Sequence, residues 1–339
     1  MIRYSSFIFA CLMMFLFICG CGIDEIESEG ADPPIHVVTT IYPLSDIIAQ
    51  LGGEKVNVSY LLPAGSSPHT YEPTVEQARL IDRAHMFVHI GAGLDDWAVK
   101  LAEASGSKLI LLDLSKEVSL VEPAHYRHLD DSDTDNHDCD DHDHHHDECN
   151  HDCDDYDNGH EDCDHHHGPE DPHFWLDPIV VRDEICPAIF EMLILLSPDD
   201  EEYFKRKFDL YYQDLTALHE EIESVTAVFS RRSFIAFHSA WQYFGLRYNL
   251  QEVAVIAQFP GQEPSAGWLA DLVEMIKDED IAAIYAEAQF PTALADRISE
   301  ESGSKVKVID PLGGEDVPGR ESYIKMMQFN LASFREAME

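Results

Sequence analysis

The chain has 339 residues and a formal net charge of −43 at pH 7, because 65 Asp and Glu face only 22 Lys and Arg. That sign excludes nucleic acid as a partner, since binding to a phosphate backbone needs clustered positive charge. The length exceeds one usual domain and suits two domains of roughly 110–160 residues each.

The N-terminus has the pattern of an export signal. A single Arg precedes an apolar run at 7–18 that is too short for a permanent membrane-spanning helix. The small residue directly before Cys21 resembles a bacterial lipobox. We therefore expect 1–21 to be a lipoprotein signal peptide, Cys21 to carry the lipid anchor and 22–34 to form a tether. The mature chain is then exported, either anchored at the outer face of the cytoplasmic membrane or in the periplasm. A plain signal peptide is the alternative.

Short β-branched runs alternate with helical stretches from residue 35 onward. The first four predicted strands are 36–40, 55–61, 86–90 and 108–112, with helices at 44–51 and 96–104. This βαβ alternation indicates a parallel sheet flanked by helices. The pattern predicts an N-terminal lobe at 35–197, which includes a loop at 115–171 and a helix at 178–196.

The long loop is crowded with His, Asp and Cys. Between Asp130 and Asp171 it holds 19 acidic residues and no Lys or Arg, and the unit NHDCDD occurs twice. Imidazole, carboxylate and thiolate bind divalent transition metals, so we predict low-affinity metal sites here, with a solvated acidic tract as the alternative. The four Cys suit either two disulfides or thiolate ligands. The candidate ligands are His137, Cys139, His142, His144, His145, His146, Cys149, His151, Cys153, His160, Cys163, His165, His166 and His167.

A long helix separates this lobe from a second one. Apolar residues recur every three or four positions along 198–228, which predicts a rigid linker helix ~45 Å long. Beyond it, strands at 233–238, 252–257, 281–286 and 305–309 alternate with helices at 239–248, 264–278, 292–302 and from about 321. The predicted fold is therefore α/β: two lobes, each with a four-stranded parallel sheet flanked by helices, joined by one long rigid helix. The C-terminal lobe spans 229–339.

Four residues of metal-ligand type follow predicted strands, at the edge where parallel sheets bind ligands. His69 comes after 55–61, His238 ends a strand, Asp310 follows another, and His173 closes the long loop. If the carboxyl edges of the two sheets face each other, these side chains meet in one cleft. Three imidazoles and a carboxylate suit Zn²⁺, although Cu²⁺ and Ni²⁺ also bind such groups. His89 also ends a strand, and we interpret it as structural.

Seven motifs carry a family resemblance over roughly 35–339. They are VTTIYPLSDIIAQLGGEKVNV, SPHTYEPT, DPHFWLDP, FHSAWQYFGLRY, PGQEPSAGWLADLV, AEAQF and VIDPLGG. In this order they resemble the zinc-binding extracytoplasmic solute-binding proteins of metal ABC importers, the ZnuA/TroA type. The resemblance implies a monomeric, non-enzymatic protein that captures Zn²⁺ with high affinity between its lobes and delivers it to a membrane permease and its ATPase.

The resemblance also implies roles for single residues. In the family, the histidine of each of three motifs binds the metal. At those positions this chain has His69 in SPHTYEPT, His173 in DPHFWLDP and His238 in FHSAWQYFGLRY. The fourth ligand varies within the family between Asp, Glu and water, and Asp310 occupies the Asp position. We expect Glu287 nearby, orienting a His. Manganese-binding relatives carry Glu where this chain has His238, which favours zinc.

Three other functions remain open from the sequence. One is a solute-binding protein for Mn²⁺ or another divalent metal. A second is an adhesin-like lipoprotein that buffers metal without a transporter. The third is a zinc hydrolase, which also uses three protein ligands but needs an open water position and a general base. The chain has no HExxH or comparable pair, so a hydrolase is the least favoured.

Overall fold

The structure is a computed structural model that describes residues 33–105, 108–123, 170–257, 263–279 and 281–339. Within it, 34–339 forms one compact unit. Two four-stranded sheets, all parallel, have the orders β2-β1-β3-β4 and β6-β5-β7-β8. The strands are β1 (Ile35–Thr39), β2 (Val56–Tyr60), β3 (Met86–His89), β4 (Ile110–Asp113), β5 (Ser233–Ala236), β6 (Gln251–Val255), β7 (Ile284–Glu287) and β8 (Val306–Ile309).

Helices flank both sheets. Those of the N-terminal lobe are α1 (Tyr42–Gly52), α2 (Val75–Asp82), α3 (Asp96–Ser105), α4 (Pro178–Val180) and α5 (Cys186–Leu196), and a π-helical turn at Val181–Ile185 joins the last two. The remaining helices are α6 (Glu201–Thr226), α7 (Gln242–Tyr248), α8 (Ala266–Asp278), α9 (Ala293–Ser302) and α10 (Tyr323–Met338). The predicted fold class is confirmed: the second lobe repeats the strand order of the first, and a long helix lies between them.

Helix α2 is missing from the sequence prediction, which left no helix between the second and third strands. Thr74 caps this helix: its hydroxyl accepts from the N–H of Gln77, while the Gln77 side chain accepts from the N–H of Thr74. This capping box has a recognisable sequence pattern, Thr-x-x-Gln. The helix was missed because it has only 8 residues and buries only Ile81, so its apolar periodicity is weak.

The linker helix α6 is 26 residues long, about 39 Å at 1.5 Å per residue. A 3₁₀ turn at Pro198–Asp200 precedes it, where the Ser197 hydroxyl donates to Asp200 at 2.8 Å. Its apolar stripe contacts α1, α4 and α5 on one side and α7 and α10 on the other. The buried side chains of the stripe are Phe204, Tyr211, Leu215, Leu218, Ile222 and Thr226.

One hydrophobic core continues from the first sheet to the second. It includes Val37 and Leu44 in the N-terminal lobe, Leu215 on α6, and Phe234 and Phe334 in the C-terminal lobe. Two smaller apolar clusters cover the other faces of the sheets. The two lobes therefore do not have separate cores. Within the described ranges, no helix is both long enough and apolar enough to cross a bilayer.

Candidate metal centre

Three histidines from separate parts of the chain meet at one point. His69 lies in the loop between β2 and α2, His173 directly precedes the 3₁₀ turn Phe174–Leu176, and His238 lies just beyond the end of β5. One ring nitrogen of each lies within 4.8 Å of those of the other two. The Nε2 atoms of His69 and His173 are 3.3 Å apart, and the three ring centroids are 5.3–5.4 Å from one another. Both lobes thus contribute imidazoles to one site.

Side chains from α2 and α3 hold the loop that carries His69. The indole N–H of Trp97 donates to the carbonyl oxygen of Pro68 at 2.9 Å, directly beside His69. The ring of Tyr71 packs edge-on against Trp97 with a centroid distance of 5.0 Å, and the Gln77 amide donates to the Tyr71 hydroxyl at 2.8 Å. The missed helix α2 therefore helps to position a candidate ligand.

A buried carboxylate orients His173. Oδ1 of Asp171 accepts from the backbone N–H of His173 at 2.9 Å and lies 2.8 Å from its Nδ1. An ionised carboxylate at this distance keeps the proton on Nδ1, which leaves the Nε2 lone pair for a metal ion. Asp171 is not among the site residues predicted from the sequence. Its signal is local: an acidic residue two positions before a candidate ligand, at the end of a long acidic tract.

The carboxylate of Glu287 contacts the imidazole of His238 in the same way. Its Oε1 lies 2.6 Å from Nδ1 of His238 and 3.4 Å from the backbone N–H of that residue. The structure thus places Glu287 beside a candidate ligand, and its orienting role stays a prediction. Burial acts to lower the pKa of His238, but the charge and hydrogen bond of Glu287, with smaller contributions from Glu252 and Asp171, outweigh burial and raise it.

Asp310 is not part of the histidine group. Its Oδ1 accepts from the N–H groups of Leu312 and Gly313 at 2.9 and 3.0 Å, and from the Gln289 amide at 2.7 Å. Its Oδ2 accepts from Arg320 at 2.8 Å. Each oxygen of this buried carboxylate already has a donor, so the structure gives Asp310 an anchoring role at the turn after β8. The expected fourth ligand is therefore not brought to the site.

The histidines line a cavity between the lobes of about 10 Å³, which is room for roughly one water molecule. Pockets for organic ligands usually have volumes of about 300–1,000 Å³, so this cavity suits an ion better than an organic molecule. Glu287 is the carboxylate in its wall. The remaining lining residues are Ser67, Pro68, Trp175, Gln289, Phe290, Pro311 and Leu312.

His89 stays apart from this centre. It is buried, and its Nδ1 lies 3.5 Å from Oδ1 of Asp95. The Asp95 carboxylate accepts from the Thr40 hydroxyl and from the N–H groups of Ile90 and Gly91, so it secures the end of β3. Neither ring nitrogen of His89 has a hydrogen-bond partner among the described residues, so its structural role stays a prediction. Cys21 and the loop candidates from His137 to His167 lie outside the described residues.

Two parallel-sheet lobes around a long helix, with a three-histidine site between them, define a bilobal α/β protein with a candidate metal centre. The chain belongs to the ZnuA family. The family model described as zinc-uptake complex component A, periplasmic, matches residues 37–337.

Individual relatives agree with this assignment. The zinc-binding lipoprotein AdcA of Streptococcus pneumoniae (strain TIGR4) is 30% identical over 327 residues; the match covers 96% of this chain but only 59% of AdcA. The high-affinity zinc uptake system protein ZnuA of Bacillus subtilis is 28% identical over 344 residues, which cover 100% of this chain and 99% of the relative. The crystal structure of the Zn(II)-bound ZnuA-like domain of the pneumococcal AdcA superposes with a TM-score of 0.68 at 28% identity, covering 90% of this chain and 99% of that domain.

Proposed function

We propose that this protein captures Zn²⁺ in the cleft between its lobes and delivers it to the permease and ATPase of an ABC importer. The observation that carries the proposal is the group of His69, His173 and His238, whose ligand atoms converge within 4.8 Å from both lobes. Two of the three rings are also held at Nδ1 by a carboxylate, which is the arrangement that keeps imidazoles ready for a metal.

The donor set favours zinc over harder ions. Neutral imidazole nitrogens suit Zn²⁺, whereas Mn²⁺ prefers carboxylate and water oxygens. Neither Glu287 nor Asp310 belongs to the convergent group, because one carboxylate holds Nδ1 of His238 and the other holds Arg320. The second oxygen of Glu287, Oε2, is buried without a hydrogen-bond partner among the described residues, and Glu287 lines the cavity. The fourth position on the ion therefore falls to this oxygen or to solvent.

An open water position alone does not make the site catalytic. A zinc hydrolase also needs a general base beside the bound water. The carboxylates that adjoin the histidines, Asp171 and Glu287, both act on imidazole Nδ1 atoms. We therefore infer that the protein is not an enzyme. Zinc-dependent turnover of ester or peptide substrates would contradict this.

The remaining parts of the proposal rest on the sequence. Cys21 carries the lipid anchor that keeps the exported protein at the membrane, and the protein acts as a monomer. The His-, Asp- and Cys-rich loop collects zinc weakly and loads the cleft. Loading moves the lobes only slightly, because α6 packs against helices of both lobes and they share one core.

Isothermal titration calorimetry with zinc tests the cleft. Loss of residues that merely orient a ligand typically costs 10–100-fold in metal affinity, so His69→Ala, His173→Ala and His238→Ala should each cost more than about 100-fold. His36→Ala is the matched control, because His36 is exposed and stacks on His85 away from the cleft. Tight binding that survives in His238→Ala contradicts the proposal.

A further inference from the structure

The hydroxyl of Tyr243 joins the two lobes at the base of the site. Tyr243 lies in the first turn of α7, in the same motif as His238. Its oxygen accepts from the N–H of Val121 at 3.0 Å and donates to the carbonyl oxygen of Asp171, also at 3.0 Å. The N–H of Asp171 in turn donates to the carbonyl of Val121 at 2.9 Å. These three hydrogen bonds close a ring between one residue of the C-terminal lobe and two of the N-terminal lobe.

The ring lies where the long insert of the sequence meets the metal centre. Val121 comes shortly before the segment 124–169, and Asp171 follows it. The neighbouring Gln242 adds a second contact on the same side, since its amide donates to the carbonyl of Glu122 at 2.8 Å. Asp171 is also the residue whose carboxylate holds His173. A displacement of its main chain would therefore pass directly to a metal ligand.

The environment of the phenol preserves this bridge. Tyr243 is 4% exposed, and burial raises the pKa of its hydroxyl, so the proton needed for donation to Asp171 is retained. Its ring packs edge-on against Phe174 with a centroid distance of 6.4 Å. Packing and hydrogen bonding are thus separable, because Tyr243→Phe keeps the ring contact and removes only the hydroxyl.

We propose that Tyr243 is a positioning residue for metal capture: its hydroxyl fixes the main chain of Asp171, so that the Asp171 carboxylate holds His173. This inference rests on the proposed function of the cleft. The physical reason is that a site displaced by even 1 Å loses much of its preorganisation, and the ring of hydrogen bonds fixes the main chain of the residue that orients a ligand.

The test is a double-mutant cycle on the full chain, with zinc release into excess chelator measured by stopped flow. A hydrogen bond contributes about 0.5–1.5 kcal/mol, so Tyr243→Phe should speed release about twofold to twelvefold. If Tyr243 acts through Asp171, adding Tyr243→Phe to Asp171→Ala should change the rate by less than about twofold. Tyr248→Phe is the matched control, because it removes from the same helix a buried hydroxyl that hydrogen-bonds to His219, outside the ring.

Amide hydrogen exchange of metal-free protein gives a second measurement that does not need the Asp171 variant to fold. Tyr243→Phe should speed exchange of the amides of Val121, Asp171 and His173, whereas Tyr248→Phe should not. An equal acceleration of zinc release in both backgrounds would assign Tyr243 to lobe packing alone, and unchanged release in Tyr243→Phe would also overturn the inference. Failure of the proposed function looks different: His238→Ala would then release zinc as slowly as the unmodified protein.

Discussion

Nδ1 of His238 lies 2.6 Å from Oε1 of Glu287, and both residues are almost completely buried. The imidazole comes from the segment after β5, and the carboxylate ends the neighbouring strand β7. The contact therefore depends on the parallel pairing of these strands. It also makes the protonated imidazole more stable than in water, which puts a proton and a zinc ion in competition for the same ring.

As the pH falls, zinc affinity should decrease at a higher pH than the ordinary pKa of a histidine would predict. The pKa of His238 is raised, so its Nε2 becomes protonated at a pH above the usual value of about 6.5. Zinc affinity should then fall as the pH drops through this raised pKa. We expect Glu287→Gln to move the fall to lower pH, because the negative charge is gone. Competition titrations at a series of pH values measure both curves, and identical midpoints would contradict the role of Glu287.

In the metal-free protein, the His238–Glu287 pair should stabilise the fold more at low pH than at high pH. A raised pKa in the folded state means that the His238–Glu287 pair stabilises the fold fully below the unfolded-state pKa of about 6.5. That contribution is lost as the pH rises through the folded-state pKa. Urea unfolding at several pH values should show the loss in the unmodified protein and not in Glu287→Gln. A pH-independent difference between the two proteins would refute the linkage.

Replacement of Asp310 should affect stability more than zinc stoichiometry. Removing one partner of a buried ion pair costs about 3–5 kcal/mol, and Arg320 would lose its carboxylate in Asp310→Ala. The three-histidine centre should still bind one zinc. Urea unfolding and calorimetry measure the two effects, with Glu301→Ala as the control, because its pair with Arg297 is exposed. Lost zinc binding with unchanged stability would restore Asp310 as a ligand.

Deleting 130–168 should remove weak zinc sites and leave the tight one. The deleted stretch contains the loop candidates from His137 to His167, whereas His69, His173 and His238 are all retained. Calorimetry of the shortened chain should show fewer ions bound at high zinc concentration and an unchanged dissociation constant for the first ion. A large loss of the first affinity would mean that the loop belongs to the cleft site.

The fold was predictable because periodicity is a property of whole segments. Eight parallel strands and the apolar stripe of α6 each repeat one pattern over several residues, so small errors at their ends do not change the topology. Helix α2 was not predicted because its sequence signal is a single capping box. The end of a strand is similarly uncertain: β7 begins at Ile284 rather than at 281, although Ala282 and Ala283 already hydrogen-bond to β5.

The site was predictable as far as topology alone determines it. The structure brings together His69, His173 and His238, each of which follows a strand or a loop at the sheet edges where parallel sheets bind ligands. What the sequence does not reveal is which charged group pairs with which. Asp310 has the right position on its strand, but Arg320 returns to it from the following turn. Asp171 orients His173 through a contact between near neighbours, which no strand pattern indicates.

The continuous apolar interior has a consequence for anyone who wishes to dissect this molecule. Cutting the chain on either side of α6 would leave Leu215 without its neighbours from one sheet and would expose apolar core surface on each fragment. Neither fragment would be a small working receptor, and we expect both to precipitate when produced alone. Chimaeras between relatives should therefore exchange surface loops and keep the whole interior from a single parent.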